Sequence, residues 1–301
     1  MVVAASGFWP RSYLYCPGDR PDRLSRAGTW GADAVIADLE DAVHARSKDV
    51  ARHSVSEWLA DGATGEIWVR VNPDSLEQDL DAVVAPGLRG VVLPKAEPDM
   101  AARLDELLTQ REHERGLPPG RVVVQALIET ARGLLAAAEL ARAPRVVRLG
   151  VGETDLAAEL GADLRAEPEV LRPLRLQLVV ASAATGIAGP VGPASTDFRD
   201  LTALRTSTQG LLRLGFRGRT AIHPAQLACI NEVFTPSADQ VARARALISA
   251  FDAAAGAGVI TAPDGTMADE AVLRSARNVM ARAAWVPGHA GPDHDSDSGA
   301  A

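Results

Sequence analysis

Six apolar runs in this 301-residue chain each end in a charged or polar group whose chemistry can be named. ADLED closes on Asp38, Glu40 and Asp41, VRVN carries Arg70 and Asn72, and LPKAE carries Lys95 and Glu97. ALIET ends near Glu129, GVGETDLAAELG places Asp155 just past its glycines, and AIHPAQ presents His223. Two carboxylates, completed by water and substrate oxygens, are a usual ligand set for Mg2+, so Glu129 and Asp155 are the candidate metal pair. Each also has a plainer reading, Glu129 as a solvated acid or ion-pair partner and Asp155 as the N-cap of the LAAEL helix. Arg70 offers a planar fork to a substrate carboxylate, or a structural ion pair to the neighbouring acids. Glu40 and Asp41 suit an outer ring orienting metal-bound water, with pairing to arginines as the equal alternative. Lys95 reads as a salt-bridge cation ahead of an imine-forming amine. His223 reads as a packing residue rather than a metal ligand, and no H-E-x-x-H pattern accompanies it.

Such groups can act together only if the elements before them converge. Strands are expected at Ser12–Tyr15, Ala34–Asp38, Ile67–Val71, Gly90–Leu93, Val122–Ile128, Val146–Gly150, weakly at Gly186–Ala188, and at Thr220–Ile222. Helical patterns at Met100–Glu112, Ala131–Ala143 and Asp200–Arg213 alternate with them, which implies parallel β/α units. Eight units close a TIM (β/α)8 barrel, whose strand C-termini gather on the face where substrates bind. Past His223 the pattern changes to two helices, Ser237–Ala254 and Asp269–Ala284, around a Gly/Pro-containing loop, Gly256–Gly265. The expected organisation is a catalytic barrel over residues 1–235, a C-terminal helical extension over 236–285 and a disordered tail over 286–301.

Composition narrows the function classes. An apolar content of 47% excludes disorder throughout, and two cysteines, Cys16 and Cys229, exclude a disulfide scaffold. A net charge of −8 argues against a nucleic-acid partner. The longest uncharged run, Leu176 to Thr196, is broken by glycine and proline, so no membrane span is expected. The opening MVVAASGFWP lacks a basic leader, and a cytoplasmic location is expected. Gly150-Val-Gly152 has Asp155 where a dinucleotide fingerprint needs glycine, and no phosphate-loop or nucleophile-elbow pattern occurs. Lysine appears at Lys48 and Lys95 alone, so each is noteworthy.

RSYLYCPGDRPDRL, GADAVIADLEDAV, VRVN, VVLPKAE, ALIET, GVGETDLAAELGAD and GFRGRTAIHPAQLACINEVFTPS stand in the order seen in citrate lyase beta-subunit-like proteins. From about Arg11 to Ala284 the chain resembles the HpcH/HpaI aldolase and citrate lyase family. The resemblance implies a Mg2+-dependent carbon–carbon lyase of β-hydroxyacyl-CoA thioesters such as citryl-, citramalyl- or malyl-CoA. Its partners would be an acyl-CoA and a 2-oxo acid, with CoA as part of the substrate. It also implies a homo-oligomer, a trimer or a multiple of one, with the C-terminal segment reaching a neighbour. Glu129 and Asp155 match the family's metal ligands, and Arg70 its substrate-carboxylate arginine. Tyr15, Arg26 and Lys48 fall where CoA contacts are expected, and Ile222 and His223 beside the thioester. Asp269 in GTMAD matches the acid/base that enters an adjacent subunit's site, and helix N-capping is its alternative. Departures are the missing proline after Asp269, arginine at position 26 where lysine is common, and no acidic residue in TGIAGPVGPAST. Two other readings remain, a CoA-independent 2-oxo-acid aldolase and a subunit of a citrate-lyase-like complex.

Overall fold

A computed structural model describes residues 10–63, 65–163, 170–254 and 258–284. The tail expected over 286–301 lies outside them. Eight parallel strands close a barrel in chain order, β1 pairing with both β2 and β8. They are β1 (Ser12–Pro17), β2 (Ala34–Asp38), β3 (Glu66–Arg70), β4 (Gly90–Leu93), β5 (Val123–Ile128), β6 (Val146–Val151), β7 (Ala188–Gly192) and β8 (Gly218–Ala221). Between them run α1 (Pro21–Ala27), α2 (Lys48–Ala60), α3 (Leu76–Val83), α4 (Pro98–Glu114), α5 (Ala131–Leu135) and α6 (Ala137–Leu140). The ring is completed by α7 (Glu153–Leu160), α8 (Leu171–Thr185), α9 (Leu201–Leu214) and α10 (Leu227–Phe234). This is the TIM barrel that the β/α alternation calls for.

The strands are apolar on both faces because both faces are covered. In β5 all six residues, VVQALI, are buried. Val124 and Ala126 point outward into one continuous layer with Leu104, Leu108 and Leu156 of the helices. Val123 and Leu127 alternate inward with Tyr13, Ile36, Trp68 and Val92, filling the barrel. Trp68 fits because β4 opens with Gly90, where a Cβ would stand 2.5 Å from the indole. The barrel is a packed core that also encloses Gln125 and Arg148, the latter bonded to the Tyr13 hydroxyl at 3.0 Å.

Three expectations shift. The seventh strand occupies Ala188–Gly192, because Gly186 adopts a left-handed conformation (φ +77°) and ends α8. Ala131–Ala143 is two short helices that share Ala136 as a boundary. Within the expected loop Gly256–Gly265, whose first two residues lie outside those described, Val259–Thr261 instead forms β9 and pairs antiparallel with β10 (Met267–Asp269) in a hairpin. Its turn, Ala262-Pro263-Asp264-Gly265, carries φ +83° at the glycine and a Gly265 N–H to Ala262 carbonyl bond of 2.9 Å. Around the hairpin lie α11 (Ala238–Ala253) and α12 (Glu270–Ala284), so the C-terminal extension is helical with a small β element.

The chain divides into two compact units, one running to Glu232 and the other from Val233. The second has its own core of Phe251, Ala262, Ala268 and Leu273. Among the described residues no helix is long and apolar enough to cross a membrane.

Candidate active site

The β2–β3 register sets Asp38 beside Arg70, each the last residue of its strand. Arg70 donates two bonds to Asp38, Nε to Oδ1 at 2.8 Å and Nη2 to Oδ2 at 2.5 Å. Asp38 also accepts the backbone N–H of Glu40 (2.9 Å) and Ala42 (3.2 Å), folding the ADLED turn around itself. Arg70 Nη1 faces Glu40 Oε2 at 2.8 Å, out of hydrogen-bond alignment, and Asp41 at 3.7 Å. Burial opposes the Arg70 charge, but Asp38 more than offsets it and the group is held firmly protonated. Tyr15 lies against the guanidinium, 4.9 Å from ring centroid to carbon, and burial keeps its phenol neutral. The acids of ADLED are therefore ion-pair partners first. Glu40 is buried between two cations, while Asp41 is exposed.

Glu129 follows β5 and is also buried. Its Oε2 accepts the Lys95 backbone N–H at 2.9 Å, and its side chain lies across Gly152, where an added Cβ would be 2.2 Å from Oε1. Among the described residues nothing donates a hydrogen bond to Oε1. Burial raises the Glu129 pKa to about 7, the Lys95 amide works the other way, and the charges of Glu40 and Asp155 push it up further. Asp155 thus lies within electrostatic reach of Glu129. It is exposed in the first turn of α7, whose N-cap is Gly152, with no side-chain capping bond. The capping alternative for Asp155 does not hold, since the helix starts earlier than LAAEL. The capacity of these carboxylates to hold a cation follows from excess negative charge. Hard oxygen donors crowded by neighbouring negative charges suit a divalent ion such as Mg2+, whose charge would favour the ionised carboxylate that burial, Glu40 and Asp155 disfavour. No group of three or more His, Cys, Asp or Glu able to hold a metal occurs among the described residues, so water and substrate would supply the other ligands.

Lys95 Nζ donates to Glu40 Oε1 at 2.6 Å. Burial disfavours its charge, but Glu40 outweighs burial and keeps the ammonium. The salt-bridge reading of Lys95 is the observed one, and a protonated amine is a poor start for an imine.

A cavity of about 410 Å³ opens beside Tyr15, walled by Arg23, Arg26, Trp30, Ile222 and His223. Three of the four residues expected at CoA or the thioester besides Tyr15 thus share it. Arg26 lies 5.8 Å from the Trp30 ring centroid. Ile222 is 45% exposed, a large apolar side chain available to a ligand. His223, itself exposed, uses Nδ1 to accept the Ala225 N–H at 3.1 Å and stacks on Phe198 at 4.5 Å. Lys48 is the fourth. It is not on the cavity wall; its ammonium donates to the Leu39 and Glu40 carbonyls, both at 2.6 Å, and so closes the end of β2. In the second unit, Asp269 ends β10 and accepts the Ala271 and Val272 N–H (2.9 and 3.1 Å), capping α12.

The family model of the HpcH/HpaI aldolase/citrate lyase group matches residues 11–224. The chain belongs to this family. That makes it a lyase of the HpcH/HpaI type. It is 33% identical to citrate lyase subunit beta of Leuconostoc mesenteroides subsp. cremoris over 279 residues, 90% of this chain and 92% of that one. It is 34% identical to (3S)-malyl-CoA thioesterase of Cereibacter sphaeroides over 280 residues, covering 91% and 94%. The protein CitE of Mycobacterium tuberculosis, solved with magnesium, acetoacetate and coenzyme A, superimposes with a TM-score of 0.73 at 31% identity, covering 92% and 99%.

In this HpcH/HpaI chain, Arg23 and Trp30 are cavity-wall residues that strand-end reasoning passed over, because it looked only at residues directly after strands, and Phe198, stacked on His223, was passed over with them. The spacing of Arg23 and Arg26 on one face of α1, followed by Trp30, was the available signal.

Proposed function

We propose that the chain is a Mg2+-dependent lyase that cleaves, or in reverse forms, a β-hydroxyacyl-CoA, giving an acyl-CoA and a 2-oxo acid. The observation that carries this reading is the buried Glu129 carboxylate, electrostatically coupled to Asp155, Glu40 and Arg70 at the rim. The cavity beside Tyr15, with Arg23 and Arg26 on its wall, is a fitting entry for a long anionic thioester.

In the cleavage direction the bond between the hydroxyl-bearing carbon and the thioester α-carbon breaks. The hydroxyl proton leaves to a base, that carbon becomes the keto carbon of the 2-oxo acid, and the electron pair moves into a thioester enolate. A proton delivered to the enolate carbon completes the acyl-CoA. Glu129 and Asp155 would hold Mg2+, which when bound supplies Lewis acidity and orientation at the substrate carboxylate and adjacent oxygen. Arg70, fixed by Asp38 through Nε and Nη2, would offer Nη1, which faces Glu40 at 2.8 Å, to the substrate carboxylate and offset its charge. Ile222 and His223 flank the thioester, and Asp269 of a neighbouring copy carries the proton.

Acetyl- and propionyl-CoA should be tested against glyoxylate, pyruvate and oxaloacetate, with Mg2+ and with chelator, and the products identified by mass. The Glu129→Ala variant is expected to lose more than about 100-fold in metal-dependent turnover. Full activity of that variant in chelator would refute the proposal. Borohydride trapping of Lys95 would instead support the imine aldolase, which the Lys95–Glu40 ion pair argues against. Activity appearing only on addition of partner chains would support the complex-subunit reading.

A further inference from the structure

We infer that Lys95 is a positioning residue that serves both halves of the site, its backbone fixing Glu129 and its ammonium holding Glu40 so that Arg70 remains available to a substrate carboxylate. The inference rests on the function proposed above and deepens it.

Lys95 has φ +47°, the left-handed region that glycine enters freely and a side chain with a Cβ does not. The turn is pinned on both sides. The Ala96 N–H donates to the Leu127 carbonyl at 3.0 Å, and the Ala96 carbonyl sits 2.6 Å from where a Cβ on Gly133 would stand. The pinned turn directs the Lys95 N–H to Glu129 Oε2 at 2.9 Å. For that amide alone, glycine would serve with less strain. The lysine at this position therefore points to a task for its side chain. Arg145, the other non-glycine residue with positive φ among those described, likewise combines the backbone with a cation, binding Glu112 and Asp105 at the start of β6.

The side-chain task is visible in the charge arrangement. Asp38, Glu40, Asp41, Glu129 and Asp155 are served by Arg70 and Lys95. Arg70 has already committed Nε and Nη2 to Asp38. Lys95 takes Oε1 of Glu40 at 2.6 Å, leaving Oε2 near Nη1 without an aligned hydrogen bond. Without the ammonium, the buried Glu40 would turn wholly to Arg70, and the rim would carry one more uncompensated negative charge against an anionic substrate.

Four variants of the full chain, Lys95→Met, Lys95→Arg, Lys95→Gly and Lys95→Ala, separate the two tasks. Mn2+ binding is read by paramagnetic titration, and glyoxylate, pyruvate and oxaloacetate binding to the Mn2+-loaded protein by calorimetry. Lys95→Met is expected to keep Mn2+ affinity within about threefold, since its amide remains, while 2-oxo-acid affinity falls about 30-fold. Lys95→Arg should recover most of the loss, by restoring the charge. Lys95→Gly should bind ligands like Lys95→Met but melt at a higher temperature than Lys95→Ala, because glycine relieves the left-handed turn. Equal 2-oxo-acid affinity in wild type and Lys95→Met, or no recovery in Lys95→Arg, overturns the positioning role and leaves the proposed function standing. A wild-type chain that binds neither Mn2+ nor any of the three acids overturns both.

Discussion

Glu129 brings two demands into conflict. Its carboxylate must be charged to hold a cation, yet burial and the neighbouring Glu40 and Asp155 charges raise its pKa from an ordinary 4.5 to about 7. A divalent ion must therefore displace a proton at acidic pH. Mn2+ affinity is expected to fall about tenfold per pH unit below 7 and to level off above it, which titrations between pH 5.5 and 8.5 would check. The sign for folding follows from the same shift. The metal-free folded chain keeps this proton between about 4.5 and 7 while the unfolded chain loses it, so its stability declines as pH rises through that window. Added Mg2+ should then raise the melting temperature more at pH 8 than at pH 6.

The rim residues Glu129, Asp155 and Arg70 were legible in the sequence because strand ends of a barrel converge, whatever fills the loops. The clamp on Arg70 was less so. Asp38 was visible as an acid, but its two bonds to Arg70 depend on the β2–β3 register, which spacing along the chain does not reveal. Lys48 has a structural bond set that the sequence did not suggest. A long side chain folding back to two carbonyls leaves no sequence mark.

At the scale of elements, the β6–α7 junction bears directly on the metal pair. Gly152 is both the N-cap of α7 and the floor beneath Glu129. Its φ of −105° is open to alanine, so a substitution there acts through bulk alone. A Cβ would lie 2.2 Å from Oε1 and 2.6 Å from Cγ, forcing the carboxylate aside. Gly152→Ala is expected to weaken Mn2+ binding at least about tenfold while costing about 1–3 kcal/mol of stability, read by titration and urea unfolding. Elements were legible where apolar runs were long, as in β5. The hairpin β9–β10 was missed because its strands are three residues each and its Pro263-Asp264-Gly265 turn signal was read as loop composition. The start of β7 was misplaced for a related reason, since Gly186 serves the end of α8 rather than the strand.

At the scale of the whole molecule, the second unit holds a residue with two assignable tasks. Asp269 caps α12, and in the proposed reaction it carries a proton in a neighbouring copy's site. Asparagine caps about as well as aspartate but exchanges no proton, whereas alanine does neither. Asp269→Asn should therefore unfold like the wild type, and Asp269→Ala at about 1 kcal/mol lower stability. Turnover should drop about 100- to 10,000-fold in both variants. Wild-type turnover in Asp269→Asn would confine the residue to its cap.

Lys48 and Lys95 supply all the side-chain amines of this chain, and one of them is half-buried under two carbonyls. At a pH alkaline enough to free the Lys95 amine from its ion pair with Glu40, an acylating reagent would in effect be a probe of the barrel mouth, because the Lys95 side chain is 43% exposed. Labelling should silence the protein at a low stoichiometry, and peptide mapping should find the tag on Lys95 before Lys48. A saturating 2-oxo acid should shield that amine, and unslowed labelling in its presence would place the ligand elsewhere.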